Sequence, residues 1–320
     1  MKLMNSLLTA TVPLLPRWMA RPFASPYVAG ETIDEALQRA ESVIDQGFSV
    51  TMDILGEHTP DVELAHKITE DYCSIYNLIT QKNLDCTISL KLTHLGLDIS
   101  EELAVENLNK IIETAKPGNR GLTIDMENSP YTSQTLDIYR TALKSYENIG
   151  TVLQAYLHRS MDDLKQIISS KLRLRICKGI YLEPEEIAHT RYRTIVAATN
   201  AAIDKMLDSS SYVAIASHDI PVIEHAVEAL AQRNMGPDRD DPRESPPPER
   251  KGKGAGYEFQ MLLGVRGNIR RRLAKDGHRT RIYVPYGERW YEYSMRRLDE
   301  NPDVAMHIVK SIFMPWTNRR

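Results

Sequence analysis

The chain has 320 residues, of which 42% are hydrophobic and 26% are charged, and its formal net charge is −3. This length suffices for two ordinary domains or for one α/β barrel with a large core. The slight negative charge gives no electrostatic reason to expect nucleic acid as a partner, and no apolar run reaches the roughly 18 residues of a membrane-spanning helix.

The first 45 residues precede the first candidate strand and begin "MKLMNSLLTATVPLLPRW", where a short apolar run follows a single lysine. Such a run resembles a weak secretory signal. Pro13 and Pro16 interrupt it, so we favour a helical extension over residues 1–45. The three cysteines stand singly without CxxC spacing, which argues against a disulfide framework or a zinc site and is typical of a reducing compartment.

Short β-rich runs alternate with helical runs from about residue 48 onward. The strand candidates lie at 48–56, 86–93, 121–127, 151–157, 172–181, 212–218, 257–265 and 280–287. Each is apolar enough to be buried on both faces, as parallel strands are. Apolar residues recur every three or four positions between them, as in 133–147, where Ser133 occupies a candidate N-cap position. No G-x-G-x-x-G follows a strand, so a Rossmann sheet is disfavoured, and residues 46–320 are predicted to form a (βα)8 TIM-type barrel of the α/β class.

One segment departs from this alternation. Residues 236–256, "GPDRDDPRESPPPERKGKGAG", are rich in proline, glycine and charge and contain almost nothing apolar. Such a composition cannot bury enough surface to offset its ordering entropy. It predicts a disordered loop before the seventh strand.

Polar side chains stand where several predicted strands end, and a closed barrel brings those ends together at one mouth. They are Lys91, Asp125, Glu127, Gln154, Tyr156, Arg175, Lys178, Tyr181, His218, Asp219 and Tyr283. Taken singly, each has an ordinary explanation as a solvated rim residue, a helix cap or a satisfied core amide. Gathered at one mouth, the cations would be costly to bury without an anion. The set therefore predicts a carboxylate or phosphate ligand.

A further cationic group lies in "YVPYGERWYEYSMRRLDE", close to the C-terminus. After Gly287 the composition is helical, and helical spacing places Tyr293, Arg296, Arg297 and Glu300 on one face. An outer helix whose arginines pair with Glu300 would explain one arginine. Two adjacent guanidinium groups on an aromatic face are better suited to grip a planar carboxylate.

The motifs "SLKLTHLGL", "IDMEN", "LQAY", "RICKGIYLEP", "ASHD", "EFQMLLGVR" and "YVPYGERWYEYSMRRLDENP", in this order, resemble the proline dehydrogenases, the flavoenzymes of proline catabolism. The resemblance extends over nearly the whole predicted barrel, and its last motif is highly specific. It implies a distorted (βα)8 barrel that binds FAD and oxidises L-proline to Δ¹-pyrroline-5-carboxylate. The length is similar to that of the monofunctional bacterial type.

The resemblance also implies roles for individual residues. Two would be catalytic, Asp125 and Arg175, the latter beside flavin N5. Five would bind the substrate, the cations its carboxylate and the tyrosines its ring: Lys91, Tyr283, Tyr293, Arg296 and Arg297. Nine would contact the FAD or support it: Met126, Gln154, Arg175, Lys178, Gly179, Ile180, Ser217, His218 and Glu300.

Three alternatives stay open at this point. A 4-hydroxyproline dehydrogenase is the nearest, although Tyr283 is expected to exclude the hydroxyl. A Schiff-base aldolase would use Lys91 or Lys178 as its nucleophile, but it leaves the arginine pair unexplained. A degenerate barrel without catalysis is the third. The resemblance further implies a quinone as electron acceptor and a cytoplasmic protein in peripheral contact with the membrane, while the oligomeric state is not encoded in any of these patterns.

Overall fold

Eight parallel strands close into a barrel. The computed structural model describes residues 21, 24–169, 171–243 and 253–300, without the side chains of residues 296–300. The strands are β1 (Ser49–Ile54), β2 (Cys86–Leu90), β3 (Leu122–Ile124), β4 (Ile149–Gln154), β5 (Arg173–Cys177), β6 (Tyr212–Ala216), β7 (Tyr257–Leu262) and β8 (Thr280–Tyr286). They pair in sequence order, and β8 pairs with β1 to close the barrel. This confirms the predicted (βα)8 fold and all eight strands.

A helix follows every strand, and among the described residues one more α-helix precedes β1. They are α1 (Ile33–Ile44), α2 (Val62–Gln81), α3 (Glu101–Ala115), α4 (Thr132–Leu143), α5 (Ser160–Ile167), α6 (Tyr192–Leu207), α7 (Ile220–Gln232), α8 (Gly267–Lys275) and α9 (Trp290–Glu300). Helix α1 begins with a capping box, in which Thr32 and Glu35 each accept a hydrogen bond from the other's backbone N–H. It lies in the predicted N-terminal extension and packs on β1 and β8.

The predicted N-cap at Ser133 is wrong. Helix α4 begins at Thr132, directly after a short 3₁₀ turn, so Ser133 lies in its first turn. Its hydroxyl oxygen instead accepts a hydrogen bond of 2.9 Å from Arg159. The 3₁₀ turn leads the chain into the helix without a side-chain cap, which the local composition did not indicate.

The barrel interior is polar. The strands are buried on both faces as predicted, but polar residues alternate along β1, β2, β5, β7 and β8. A hydrogen bond across the barrel, from Arg175 Nη2 on β5 to the hydroxyl of Ser89 on β2 at 3.3 Å, shows that these residues face its axis. The apolar core lies instead between the outer face of the sheet and the helices, where Val50 and Ile88 are fully buried. A polar interior of this kind can hold charged groups that an aliphatic barrel core could not.

An ion pair between Glu258 and Arg281 lies inside the barrel, one layer below the mouth. Arg281 Nε donates to both carboxylate oxygens of Glu258, at 2.8 and 3.0 Å, and both residues are buried. Arg281 also donates to the carbonyl of Val50 at 2.7 Å, and Gln260 donates to Glu258 at 2.6 Å. Because every charge has partners, the pair can persist away from water.

The segment predicted to be disordered, 236–256, has specific contacts at both of its ends. A β-bridge joins Asp240 to Lys253, and Arg243 forms a buried ion pair with Asp241 at 2.6 Å. Arg243 also donates to the carbonyls of Ser209 and Ser211 below β6. The arginine thus ties the first end of the segment to the chain before β6, while residues 244–252 lie outside the described part of the chain and the disordered loop stays a prediction.

Within the ranges that the structure describes, no helix is long and apolar enough to cross a bilayer.

Candidate active site

The carboxylate of Asp125, which directly follows β3, is the centre of a hydrogen-bonded cluster at the barrel mouth. Its Oδ1 accepts from the hydroxyl of Ser89 at 2.5 Å and from Nη1 of Arg175. Its Oδ2 accepts from the Tyr283 hydroxyl at 2.9 Å. The ammonium of Lys91 lies 3.9 Å from the same Oδ2. The structure thus brings together four of the residues that the sequence predicted, two on β5 and β8 and two that directly follow β2 and β3.

Arg175 is held on several sides. Its Nε donates to Gln260 Oε1 on β7 at 2.6 Å, and its Nη2 donates to Ser89 at 3.3 Å. Its guanidinium carbon lies 5.3 Å from the centre of the Tyr283 ring, within the range of a cation–π contact. Because the planar guanidinium is bound in its plane and against its face, its orientation is fixed before any ligand binds.

The charges in the cluster support one another. Burial would raise the pKa of Asp125, but the cations of Arg175 and Lys91 hold it below its ordinary value. Burial would lower the pKa of Lys91, but the carboxylates of Asp53 and Asp125 raise it above its ordinary value. Burial raises the pKa of Tyr283 far above its ordinary value, so its hydroxyl stays a donor. One carboxylate and two cations therefore stay charged at physiological pH.

Asp53 belongs to the same cluster and was not predicted from the sequence. It lies on β1, is 2% exposed, and its Oδ2 is 3.4 Å from Lys91 Nζ. Burial, together with the nearby charge of Asp125, raises its pKa to about 6. Ser89 and Gln260 were missed as well. The signal that could have found all three is the alternation of polar residues in "SVTMDI", "CTISL" and "YEFQML", where Asp53 is the only charged residue of its strand.

Gln154, predicted as a cofactor contact, connects the loops after β3 and β5. Its side-chain amide donates to the carbonyl of Glu127 at 2.9 Å and accepts from the backbone N–H of Ile180 at 3.2 Å. Glu127 is buried and accepts from both the backbone and the hydroxyl of Thr93. These contacts fix the backbone at Ile180, next to Gly179.

The loop after β5 requires glycine at position 179. Gly179 has a φ of +121°, and a Cβ there would lie 2.1 Å from the ring of Tyr156. The neighbouring Lys178 pairs at 2.8 Å with Asp219, which follows the adjacent strand β6, and its ammonium lies 5.3 Å from the centre of the Tyr192 ring. The predicted cofactor contacts Lys178, Gly179 and Ile180 thus form one loop whose backbone is fixed from two sides.

Three other predicted contacts lie at or just after the strand ends. Ser217 Oγ accepts from the backbone N–H of Asp219 at 3.1 Å, and His218 Nε2 accepts from the backbone N–H of Leu262 at 2.8 Å. Met126 is buried directly after β3. His218 therefore joins the ends of β6 and β7, and its contact with a cofactor stays a prediction.

A helix forms after β8 where it was predicted, but the arginine side chains that are predicted to bind a carboxylate lie outside the described residues. Helix α9 follows β8 and reaches Glu300. Tyr293 packs with Trp290 and Met295 in an apolar cluster that includes residues of the N-terminal segment. The side chains of Arg296, Arg297 and Glu300 lie outside the described residues, so their roles stay predictions.

A polar contact joins the loops that follow β1, β2 and β3. His58 Nδ1 lies 2.7 Å from Asp98 Oδ2, and the Tyr131 hydroxyl donates to the other oxygen of Asp98. The hydrogen bond to Asp98 raises the pKa of His58. His58 has a φ of +54°, a conformation that a residue with a side chain keeps only under constraint. No sequence pattern predicted this contact, which orders the rim of the mouth.

The arrangement is suited to binding and orienting an anionic ligand. It offers fixed cations, an ionised carboxylate and a tyrosine hydroxyl, all largely buried from solvent. In the part of the chain that the structure describes, no group of three or more histidine, cysteine or acidic side chains is placed to hold a metal ion. The protein groups can position a substrate, but they provide no electron acceptor of their own.

The chain is similar in sequence to known proteins of one family. The family model "Proline dehydrogenase" matches residues 36–309. Proline dehydrogenase 1 of Bacillus subtilis subsp. natto is 36% identical over 289 residues, covering 90% of each chain. Proline dehydrogenase of Deinococcus radiodurans is 29% identical over 90% of this chain and 89% of its own.

Among solved structures, proline utilization A from Bdellovibrio bacteriovorus, inactivated by N-propargylglycine, superposes with a TM-score of 0.77 at 21% identity. The match covers 88% of this chain and 33% of that longer one. At this level of identity the likeness concerns the fold.

Proposed function

This chain belongs to the proline dehydrogenase family, oxidoreductases that act on CH–NH bonds, and from that premise we propose that it oxidises L-proline to Δ¹-pyrroline-5-carboxylate with FAD as its cofactor. The observation that carries the proposal is the cluster of Asp125, Arg175, Lys91 and Tyr283 at the barrel mouth. Its cations suit a carboxylate, and its tyrosine ring offers a wall for a small apolar ring.

The loop after β5 fits a flat cofactor with both apolar and anionic parts. Ile180 is 57% exposed and Leu182 is fully exposed, although both are apolar. Lys178 supplies positive charge beside them, and Gly179 leaves the backbone uncovered by a side chain. We assign Lys178, Gly179, Ile180 and Gln154 to hold the flavin, with the predicted contacts Met126, Ser217, His218 and Glu300 around it. A bound flavin supplies the acceptor for the hydride that leaves the carbon next to nitrogen.

The protein's own part is orientation. Arg175 and Asp125 fix each other, and Lys91 offers its ammonium from the opposite side of the carboxylate. A substrate whose carboxylate is held between Lys91 and the arginines of α9 would present one edge of its ring to the flavin. Such orientation contributes roughly 7–11 kcal/mol to catalysis in favourable cases.

The aldolase alternative is disfavoured by the state of its lysines. A Schiff-base lysine must be neutral to attack a carbonyl, which requires a lowered pKa. The carboxylates of Asp53 and Asp125 instead raise the pKa of Lys91. Lys178 is paired with Asp219 at 2.8 Å. Trapping of a carbonyl substrate by borohydride would revive this alternative.

The direct test is the visible spectrum of the purified protein. We expect a flavin absorption band that bleaches when L-proline is added without oxygen. D-proline is the control for stereochemical binding, and trans-4-hydroxy-L-proline tests whether Tyr283 excludes the hydroxyl. A colourless protein that gains no flavin on incubation with FAD would refute the proposal. Faster bleaching by hydroxyproline than by proline would identify hydroxyproline as the substrate.

We predict that Arg296→Met and Arg297→Met each raise the KM for L-proline about 10- to 100-fold and leave the FAD content unchanged. The reason is the loss of a charge-assisted hydrogen bond, worth about 1.5–3 kcal/mol. Steady-state kinetics and flavin absorbance measure the two effects. Arg271→Met, an exposed arginine on α8, is the matched control. An unchanged KM in both variants would remove the clamp from the proposal.

The electron acceptor is proposed to be a membrane quinone, with the protein cytoplasmic and in peripheral contact with the bilayer. This assignment rests on the family resemblance. Proline-dependent reduction of a water-soluble quinone analogue, compared with oxygen consumption, tests it. Re-oxidation by oxygen at a rate equal to or above that of the quinone would contradict it.

A further inference from the structure

Asp53 is a buried carboxylate that is only partly engaged. It is 2% exposed, and its ion-pair partner in the structure is Lys91, 3.4 Å from Oδ2. Its other oxygen, Oδ1, has no hydrogen-bond partner among the described residues. A buried acceptor oxygen without a partner is costly. It is therefore a place where the cluster can take up a proton.

The charges of the cluster cancel one another before a ligand binds. Two carboxylates, Asp53 and Asp125, face two cations, Lys91 and Arg175. A substrate carboxylate that binds Lys91 competes with Asp53 for the same ammonium. The binding then leaves Asp53 as a buried negative charge with a weakened partner, which strongly favours its neutral form.

Asp125 cannot take that proton in place of Asp53. Both of its oxygens accept hydrogen bonds, from Ser89 and Arg175 on one side and from Tyr283 on the other. Protonation of Asp125 would place an O–H donor next to these donors and would break at least one of the hydrogen bonds. The environments of Asp53 and Asp125 therefore push their proton affinities apart, a pattern that separates acid and base roles in active sites.

Other groups around Asp53 do not compete for the proton. The titratable and charged groups that face it are Lys91 after β2, Asp125 after β3, Tyr72 on α2, and Tyr283 and Tyr286 on β8. Burial raises the pKa of each of these three tyrosines above its ordinary value, so they stay neutral. Burial raises the pKa of Asp53 itself to about 6, so it is mostly ionised at pH 7 in the free enzyme.

We propose that Asp53 is a positioning residue that holds the Lys91 ammonium in the free enzyme and takes up one proton when a carboxylate ligand displaces it. The proposal rests on the proposed function, in which Lys91 binds the substrate carboxylate. With L-proline, the proton that Asp53 gains balances the proton that the substrate ammonium must lose. The nitrogen then keeps its lone pair, which hydride departure from the adjacent carbon requires, and no electrons move in this step.

Proton uptake on binding tests this inference directly. The ligand is cyclopentanecarboxylate, which has the ring and carboxylate of proline but no amine to supply a proton. Calorimetric titration of the FAD-loaded enzyme at pH 7, in buffers of different ionisation enthalpy, should show uptake of about one proton per site. Affinity should fall about tenfold per pH unit above pH 6. Pyrrolidine, which lacks the carboxylate, should cause no uptake.

Two variants test whether Asp53 is the residue that takes up the proton. Asp53→Asn should abolish proton uptake and flatten the pH dependence of affinity, and Asp53→Glu should retain the uptake with a shifted midpoint. Absence of uptake in the wild-type enzyme overturns the proposal without any variant. Uptake that persists in Asp53→Asn, or a profile unchanged in Asp53→Glu, also overturns it. Competition of cyclopentanecarboxylate with L-proline and bleaching by L-proline are measured separately, so a failure of the proposed function is recognised independently.

Discussion

Asp125→Asn should lower kcat/KM for L-proline about 100- to 1000-fold, the largest effect on activity that the structure predicts. Removing one preorganised charge-stabilising contact in an active site costs about this much. The substitution leaves Arg175 and Lys91 with one fewer negative partner, and an amide NH2 would face the donors Ser89 or Tyr283. The measurement is rapid mixing with L-proline, in which the rate of flavin bleaching reports the chemical step.

Asp137→Asn is the matched control for this variant. Asp137 lies on α4, and its side chain is 69% exposed in a pair with Arg140. It should change activity by less than about twofold, since surface pairs contribute little. The FAD content of both variants must be recorded, because loss of the cofactor would mimic loss of catalysis. A fully loaded Asp125→Asn enzyme that bleaches at the wild-type rate would show that the carboxylate has no part in the reaction.

Glu258→Gln should lower the free energy of unfolding by about 3–5 kcal/mol, the largest effect on stability. Breaking a buried ion pair on one side costs this much because the remaining charge is left without compensation. Here the remaining charge is Arg281, which is buried, donates to the carbonyl of Val50 and keeps only the more distant carboxylate of Asp85, at 3.8 Å, among the described residues. The measurement is urea denaturation followed by circular dichroism. Asp162→Asn, which removes an exposed pair with Lys165, is the control and should cost less than about 1 kcal/mol.

A double replacement separates the ion pair from simple packing. Glu258→Leu combined with Arg281→Met should recover most of the lost stability, because apolar side chains of similar size replace a buried pair at little cost. If the double variant is as unstable as the single one, the defect lies in the shape of the barrel interior. The two outcomes are exclusive, so the comparison identifies the cause.

The ion pair between Glu258 and Arg281 also makes the free energy of unfolding depend on pH, with a sign that the structure determines. Burial would raise the pKa of Glu258, but Arg281 and Arg279 lower it to about 2. A group with a depressed folded pKa adds stability that is fully present above its unfolded pKa, ordinarily 4.5 for a glutamate. That stability is lost as the pH falls from about 4.5 to about 2. Wild-type enzyme should therefore lose stability more steeply than the double variant in this interval.

The sequence by itself determined the barrel and most of its mouth. Eight apolar runs alternating with helical ones can bury their faces only as parallel βαβ units. Polar residues just after strands, such as Lys91 and Asp125, were identifiable because a core does not select them. Closure of the sheet brings these residues together at the mouth, which is why their proximity could be predicted, while their roles stay predictions.

The tertiary structure alone decided which of these residues touch. Tyr283 donates to Asp125 across 158 positions of sequence, and Arg175 reaches Gln260 across 85. It also decided that Asp53 shares Lys91 with Asp125, and that Arg243 orders the ends of a segment whose composition indicated disorder. The physical reason is that burial and the distance between charges depend on barrel register and closure. A single strand encodes its own alternation of polar and apolar residues, but not the partner that it meets across the axis.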